Sequence, residues 1–233
     1  MKTLLIVSHP NLIDSGSQQY FLSSIKNRED VTVHHLEGVY PDWNIDVSRE
    51  QELLKQHDRI LFQFPFYWYS SPPLLKHWQD VVLEEGFAYG TRGKALTGKE
   101  FGLVLMIGVQ EREYQSGGDE QFTISELTRP FQAMAHKTGM KYLRPFTIFQ
   151  FAYMEEDQKM DTLIQYWQML TMENNNSLAA REKWLIDQLK AAQATLESND
   201  ANTINYAIEL IEENRNHIDG LKIVLDQMYQ RSN

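Results

Sequence analysis

The chain has 233 residues, no cysteine, a formal net charge of -10 and a hydrophobic fraction of 42%. This length suffices for one large domain or for a domain with an appendage, while the acidic balance disfavours nucleic-acid binding. The lack of cysteine excludes disulfides, thiolate metal sites and a cysteine nucleophile. No apolar run approaches the roughly 20 residues of a membrane span, and no secretory signal is recognisable, so we expect a cytoplasmic protein.

Five apolar runs predict strands, and helical spacing fills the intervals between them. The strands are predicted at residues 3–7, 31–35, 59–64, 100–108 and 146–151. The helices are predicted at about residues 18–25, 48–58 with Ser48 as N-cap, 72–83, 123–138 and 155–170. Such alternation implies a parallel sheet with helices on both faces, an α/β fold. Ligands in this class bind beyond the carboxyl ends of the strands, so the loops after the first, third and fourth strands are the candidate sites.

The tail departs from this alternation and predicts an antiparallel helical hairpin. Its helices are expected at residues 177–197 and 202–230, with Asn202 as the second N-cap. The polar stretch 172–177 marks the boundary, so we predict two domains, 1–171 and 172–233. The apolar seam consists of Leu185, Leu189, Ala192, Leu196, Ile204, Ile208, Ile211, Ile218, Leu221, Leu225 and Met228.

The loop after the first strand opens a helix with residues suited to a phosphate. Its candidates are His9, Ser15, Gly16, Ser17 and Gln18. Backbone N–H groups at a helix start and nearby hydroxyls favour anions. The chain has neither a Walker lysine nor a G-x-G-x-x-G motif, which disfavours ordinary triphosphate and Rossmann dinucleotide sites. A serine-rich N-cap beside an incidental histidine is the alternative interpretation.

The loop after the third strand is unusually aromatic. The segment "QFPFYWYSSPPLLKHWQDVVLEEGFAYG" resembles the flavodoxin-like NAD(P)H:quinone reductase family, which includes flavoproteins of the DT-diaphorase, drug-activity modulator and potassium-efflux ancillary types. The resemblance covers about residues 1–170. It implies a flavodoxin-like, doubly wound, five-stranded parallel sheet, to which this chain adds the C-terminal α-helical hairpin.

The resemblance also implies roles for individual residues. Pro65, Phe66, Tyr67 and Trp68 would line a flavin, and His9 with residues 15–18 would hold its phosphate. Trp68 and Tyr69 would shape the slot for a flat acceptor, and Tyr89 would reach the pocket of a partner subunit. Core packing is the alternative for each aromatic side chain taken alone.

The loop after the fourth strand departs from the family pattern. Met106, Ile107, Gly108 and Val109 stand where relatives have T-T-G-G, and Tyr114 stays in register. Backbone contacts to a flavin need no particular side chain, so these four positions stay in the predicted cofactor site. Glu120 lies near the position of a histidine that assists some relatives.

The preferred interpretation is an oxidoreductase that uses FMN, with FAD as the alternative, and NAD(P)H as hydride donor. It would reduce quinones or nitro or azo compounds as a homodimer by ping-pong kinetics, with Tyr114, Trp68, Tyr69 and Tyr89 at the reacting centre. A second hypothesis is a regulatory or binding module that acts on a partner protein through the hairpin. A one-electron flavodoxin is less favoured, and the histidines form no metal-ligand spacing.

Overall fold

A computed structural model describes residues 1–173, 177–193 and 198–231. The chain divides into two compact units, Met1–Thr171 and Met172–Asn233. The strands of the first unit are β1 (Thr3–Val7), β2 (Val31–His35), β3 (Arg59–Pro65), β4 (Glu100–Ile107), β5 (Lys141–Tyr142) and β6 (Phe146–Phe149). Its helices are α1 (Gly16–Ser23), α2 (Leu36–Val39), α3 (Val47–Lys55), α4 (Pro73–Val82), α5 (Ile124–Leu127), α6 (Arg129–Thr138) and α7 (Glu156–Thr171).

The predicted parallel sheet is confirmed, with one strand more than expected. Its order is β2-β1-β3-β4-β5, and β6 also pairs with β4. The two short edge strands follow one another along β4, β5 beside Glu100 and Phe101 and β6 beside residues 104–107. Pro145 lies between them, and proline cannot donate a ladder hydrogen bond. The predicted strand 146–151 ends at Phe149 because Gln150 adopts a left-handed φ of 47°.

Two apolar clusters cover the two faces of the sheet. In β1, Leu4 and Ile6 belong to one cluster, whereas Leu5 and Val7 belong to the other. Successive strand side chains point to opposite faces, and all five residues of β1 are buried. A strand buried on both faces therefore appears in the sequence as an uninterrupted apolar run.

Two helix predictions in the first unit are wrong in detail. Helix α3 begins at Val47, and its N-cap is Asp46, whose carboxylate accepts a hydrogen bond from the Arg49 N–H at 3.0 Å. Ser48 therefore lies inside the helix and does not cap it. The single helix predicted over 123–138 is divided at Thr128 into α5 and α6, with proline in the first turn of α6.

The second unit contains α8 (Leu178–Gln193) and α9 (Ser198–Arg231). The Gln193 amide donates to Asn205 Oδ1 at 2.8 Å, and Glu182 pairs with Arg215. These two contacts require antiparallel helices, as the sequence predicts. Asn202 lies within α9 and is not its N-cap, because the helix already begins at Ser198.

The seam of the hairpin is shorter than predicted. Ile208 is buried, while Leu221, Leu225 and Met228 are exposed. These three residues therefore do not extend the buried part of the seam. Leu196 and the adjoining residues 194–197, like residues 174–176 of the predicted boundary, lie outside the described residues.

Candidate functional site

A cavity of about 610 Å³ opens at the carboxyl ends of β1, β3 and β4. This is the edge of the sheet at which parallel α/β folds bind ligands, and the volume falls within the usual range for small-molecule sites. Its lining residues are His9, Ser15, Gly16, Ser17, Gln18, Tyr20, Pro65, Tyr67, Met106, Ile107, Gly108, Ile148, Gln150, Phe151, Ala152, Tyr153, Glu156 and Lys159.

The start of α1 supplies backbone donors to this cavity. The first N–H groups of a helix have no partner within the helix, and those of α1 belong to residues 16–18, all of which line the cavity. Ser15 occupies the N-cap position, but its side chain makes no capping hydrogen bond. The helix start and the Ser15 hydroxyl therefore suit an anionic ligand.

Gln18 adds a buried donor to the same wall. Its side chain is fully buried, and its Oε1 accepts a hydrogen bond from Gln63 Nε2 at 2.6 Å. Gln18 Nε2 is buried and has no hydrogen-bond partner among the described residues. Because an unsatisfied buried donor costs stability, its presence in a cavity wall fits a ligand that brings an oxygen acceptor.

His9 presents a neutral donor at the tip of β1. Its Nδ1 accepts the Asn11 backbone N–H at 3.0 Å, so the ring proton resides on Nε2. Burial lowers the pKa of His9, and the neighbouring His35 acts in the same direction, although Glu37 opposes them. The uncharged ring can therefore donate one hydrogen bond into the cavity.

Glu37, which the sequence did not single out, holds the loop that carries His9. Its carboxylate accepts from Ser8 Oγ at 2.6 Å and from the His9 backbone N–H at 3.0 Å, and it lies 3.3 Å from His35 Nε2. Burial alone would raise the pKa of Glu37, but the hydrogen bonds from His35, Ser8 and His9 outweigh burial and keep that pKa below its ordinary value. The ionised carboxylate fixes the first loop.

The aromatic loop contributes fewer lining residues than predicted. Pro65 and Tyr67 line the cavity, whereas Phe66 is buried in the core and its N–H donates to the Met106 carbonyl at 2.9 Å. The next residues form a tight turn closed by a 3.0 Å bond from Ser70 N–H to the Tyr67 carbonyl. Trp68 and Tyr69, at its centre, have φ of 46° and 61°. Positive φ at both positions is the pattern of a type I′ turn, which normally selects glycine or asparagine.

This strained turn projects Trp68 away from its own chain. The Trp68 side chain is 91% exposed and lies outside the cavity lining, as does Tyr69. A large exposed aromatic residue on a strained backbone is unusual, and strain of this kind clusters at functional sites. Trp68 lies next in sequence to Tyr67, at the edge of the site.

The segment after β4 divides between the cavity and the core. Met106, Ile107 and Gly108 line the cavity. Val109 instead packs against the apolar cluster that includes Phe66. The lining part is thus held by β4. Val109 lies outside the lining, so its contact with a cofactor stays a prediction.

Tyr114 lies beside Tyr69 and Glu120, outside the cavity lining. Its ring packs against Phe66 and Phe149, with centroids 6.4 and 6.0 Å apart. Burial, followed by the charge of Glu120, raises the pKa of Tyr114, and a hydrogen bond to Glu120 raises the pKa of Tyr69. Both phenols therefore remain protonated hydrogen-bond donors.

A glycine allows the Glu120 loop to approach so closely. A Cβ on Gly118 would come within 2.3 Å of the Glu113 carbonyl oxygen, so no other residue fits here without movement of the backbone. Glu113 also accepts the backbone N–H of Asp119 on its carboxylate, at 3.1 Å. The loop is thereby fixed where Glu120 can meet Tyr69.

Tyr89 lies apart from this cavity. It is half-buried against the apolar core, and Lys137 Nζ lies 5.5 Å from its ring centroid. Its predicted role requires a partner subunit, so the position of Tyr89 within one chain leaves that role a prediction.

The third wall of the cavity was missed in the sequence. It comprises the short 3₁₀ turn Phe151–Tyr153, Gln150 before it, and Glu156 and Lys159 of α7. Lys159 Nζ pairs with Glu156 at 2.8 Å and lies 5.8 Å from the Phe151 ring centroid. The available signal was the polar start of a helix directly after the last strand, the same arrangement that marked the first loop.

Comparisons with known proteins agree with this geometry. Residues 1–170 match the Flavodoxin_2 family, described as having a flavodoxin-like fold. The uncharacterised NAD(P)H oxidoreductase YrkL of Bacillus subtilis is 54% identical over 147 residues, covering 63% of this chain and 84% of that protein. The glutathione-regulated potassium-efflux system ancillary protein KefG of Yersinia pestis is 41% identical over 167 residues, covering 72% of this chain and 90% of that protein.

Two solved structures extend the comparison. An NADPH-quinone reductase from P. pentosaceus has a TM-score of 0.70 and 45% identity, covering 75% of this chain and 100% of that one. General stress protein 14 of Treponema denticola, in complex with FMN, has a TM-score of 0.68 and 36% identity, covering 73% of this chain and 98% of that one. With its parallel sheet and its match over residues 1–170, the chain belongs to the Flavodoxin_2 family of flavodoxin-like fold.

Proposed function

We propose that this protein is an FMN-dependent NAD(P)H oxidoreductase that reduces quinones or related flat acceptors. The observation that carries the proposal is the cavity at the ends of β1, β3 and β4, with the start of α1 and the unpartnered Gln18 amide in one wall. The relatives described as an NADPH-quinone reductase and as an FMN complex support both the activity and the cofactor.

The donor set fits the phosphate and ribityl part of FMN. The first-turn N–H groups of α1, the Gln18 amide and the His9 ring are all donors, as a phosphate requires. Lys159 supplies a cation in the same lining. Its partner Glu156 is 86% exposed, so solvent screens this ion pair and Lys159 could exchange it for a phosphate.

The apolar part of the cavity fits the flavin ring. Pro65, Tyr67, Met106 and Ile107 would flank the ring, and the Gly108 backbone would meet one edge of it. When bound, FMN supplies the redox chemistry, accepting a hydride from NAD(P)H and passing two electrons to the acceptor. The protein binds and orients both partners.

The aromatic residues at the mouth would form the substrate slot. Trp68 and Tyr69 would cover one flat ring at a time, so that NAD(P)H and the acceptor use the slot in turn. The Tyr114 hydroxyl, kept protonated by burial and by Glu120, would donate a hydrogen bond to the reacting edge. This arrangement predicts ping-pong kinetics.

Tyr89 extends the proposal to a homodimer. It would reach the slot of the partner subunit, and a two-fold interface would cover the exposed Trp68. In this proposal residues 1–171 form the redox site, and residues 172–233 have an accessory role. Use of NAD(P)H, an intracellular reductant, suits a cytoplasmic protein. Sedimentation at micromolar concentration tests the dimer, and a monomer with full activity would contradict it.

A regulatory role is the second candidate. It is favoured by the ancillary relative of a potassium-efflux system and by the helices α8 and α9, which follow the family match. In this case the hairpin would bind a partner protein. No helix of the described residues is long and apolar enough to cross a membrane.

Flavin content tests the proposed function. Protein purified without added flavin, or mixed with FMN and separated from the excess, should release FMN on denaturation, as identified by mass spectrometry. Binding of FMN should also quench the fluorescence of the flavin on titration. A protein that binds neither FMN nor FAD would contradict the proposal.

A further inference from the structure

We propose that Tyr166 is a positioning residue that orients the Gln18 amide through Gln63, so that Gln18 Nε2 is turned toward an oxygen of the bound ligand. This inference rests on the proposed function only for the identity of that ligand. The three side chains lie on α7, β3 and α1, and they form one hydrogen-bonded row under the cavity wall.

The row is short, buried and continuous. Tyr166 Oη lies 2.8 Å from Gln63 Oε1, and Gln63 Nε2 lies 2.6 Å from Gln18 Oε1. All three side chains are fully buried. In such surroundings an unpaired polar atom is costly, so the direction of each hydrogen bond is strongly constrained.

Tyr166 sets the polarity of the row. A buried hydroxyl leaves its proton unsatisfied unless it donates, and the partner found for Tyr166 Oη is Gln63. Gln63 must then turn its oxygen to Tyr166 and its nitrogen to Gln18. Gln18 in turn receives that N–H on its oxygen, which leaves its own Nε2 as the free end.

The free end of the row belongs to Gln18, the one member of the row that lines the cavity. Gln18 lines the cavity beside the start of α1, where the other groups are also donors. With the opposite polarity, Gln18 would present its carbonyl oxygen to the same place and repel a phosphate. The hydroxyl of Tyr166 on α7 therefore determines that Gln18 presents a hydrogen-bond donor, and not an acceptor, to the cofactor site.

Removal of the Tyr166 hydroxyl should release this constraint without removing Gln18. In Tyr166→Phe both polarities of the amide pair become accessible, and only one of them offers a donor. Affinity for FMN should fall by about 2-fold if the two are equally populated, and by up to about 100-fold if the reversed one prevails. The affinity for riboflavin, which lacks the phosphate, should fall less than the affinity for FMN.

A double-mutant cycle separates positioning from a structural role. Gln18→Met replaces the amide by an apolar chain of similar length, so the loss from Tyr166→Phe should largely vanish in the Gln18→Met background. Tyr142→Phe is the matched control, because it removes another tyrosine hydroxyl outside the cavity lining. Its FMN affinity should equal that of the wild type.

The orientation of the Gln63 and Gln18 amides can also be measured in the absence of flavin. In ¹⁵N spectra of the flavin-free protein, Tyr166→Phe should shift the side-chain amide signals of both Gln63 and Gln18, and Tyr142→Phe should leave them unchanged. An unmoved Gln18 signal, or a loss of FMN affinity that persists in full in the Gln18→Met background, would overturn the relay. A wild-type protein that binds no flavin would instead contradict the proposed function, and the amide spectra would still test the relay.

Discussion

Ser17 tests the anion site at the scale of one residue. It lies half-buried in the first turn of α1 and lines the cavity. Ser17→Glu would set a carboxylate beside the bound phosphate, and two such charges about 4 Å apart repel by about 4 kcal/mol at an effective dielectric constant of about 20. We expect FMN affinity to fall at least about tenfold, since 1.4 kcal/mol corresponds to that factor.

The control for Ser17 exploits a second helix start. Ser48 is exposed in the first turn of α3, outside the cavity lining, so Ser48→Glu adds the same charge without approaching the ligand. An acidic side chain in a first helical turn is itself stabilising, and neither variant should unfold. Fluorescence titration of FMN measures the effect, and an unchanged affinity in Ser17→Glu would remove the phosphate from this helix.

Glu37 gives a prediction on stability and pH. Its pKa in the folded protein lies below the ordinary value of 4.5, so it stabilises the protein above pH 4.5, and this contribution is lost as the pH falls through the folded pKa. Glu37→Gln should therefore lower the free energy of unfolding at pH 7 by about 1–2 kcal/mol. As the pH is lowered, the free energy of unfolding of Glu37→Gln should also fall less than that of the wild type.

Denaturant unfolding between neutral pH and pH 3 provides the measurement. Glu52→Gln is the control, because Glu52 is exposed and its ion pair with Lys55 lies on the surface of α3, where such pairs contribute little. Equal effects of the two substitutions would mean that the Ser8, His9 and His35 contacts do not stabilise the ionised form of Glu37.

At the scale of elements, the aromatic turn links strain to function. Trp68 holds a φ of 46° while its side chain is 91% exposed. Trp68→Gly should leave stability unchanged or raise it by up to about 1 kcal/mol, since glycine adopts this φ freely but has greater entropy in the unfolded chain. Steady-state kinetics with a quinone should show a higher KM, because the slot loses a stacking surface.

Trp43 offers a matched control for the turn. It also has a positive φ, 64°, and lies outside the cavity lining, where it stacks on His77. Trp43→Gly should relieve comparable backbone strain without changing the quinone kinetics. If Trp68→Gly leaves KM and kcat as in the wild type, the turn does not form the acceptor slot.

The central strands β1, β3 and β4 were predictable because they are buried on both faces. The continuous apolar runs of β1 and β4 are shorter than a typical helix, so their length favours a strand. The positions of the helix ends were harder to predict, because several residues near each end are able to cap the helix. Asp46 and Ser48 are both good N-caps, and the choice depends on which side chain meets a free N–H. Asn202 likewise suits a cap, but α9 starts one turn earlier.

The site was only partly predictable because its walls come from distant segments. The loops after β1 and β3 carry residue types that reveal their chemistry, and Ser17 and Tyr67 do line the cavity. Gln150 and Lys159 gave only the weak signal of a polar helix start after the last strand, since polar residues at such places are common on any surface. Gln63 appeared as a polar residue within an apolar strand, and only the fold reveals its partner on α7.

At the scale of the whole molecule, the second unit should be dispensable for flavin binding. The family match ends at residue 170, and the first unit, Met1–Thr171, contains the entire cavity lining. Truncation after Thr171 should therefore leave the FMN dissociation constant within about twofold of the full chain. We expect the truncation to weaken dimer formation or the binding of a partner protein instead.

One result of the truncation experiment would contradict this prediction. A truncated protein that keeps the melting temperature of the first unit but no longer binds FMN would mean that residues 172–233 complete the site. Thermal unfolding with and without FMN distinguishes this result from a failure to fold, because a bound ligand raises the melting temperature.

The central claim is that this chain uses the cavity to hold FMN for electron transfer from NAD(P)H to a flat acceptor. Anaerobic stopped-flow absorbance of the FMN-loaded protein tests it most directly, with NADH or NADPH mixed first and a quinone second. We predict that one of the nucleotides bleaches the flavin absorbance and that the quinone restores it, with each half-reaction proceeding in the absence of the other substrate. Flavin absorbance that neither nucleotide bleaches would contradict the account and favour the regulatory role.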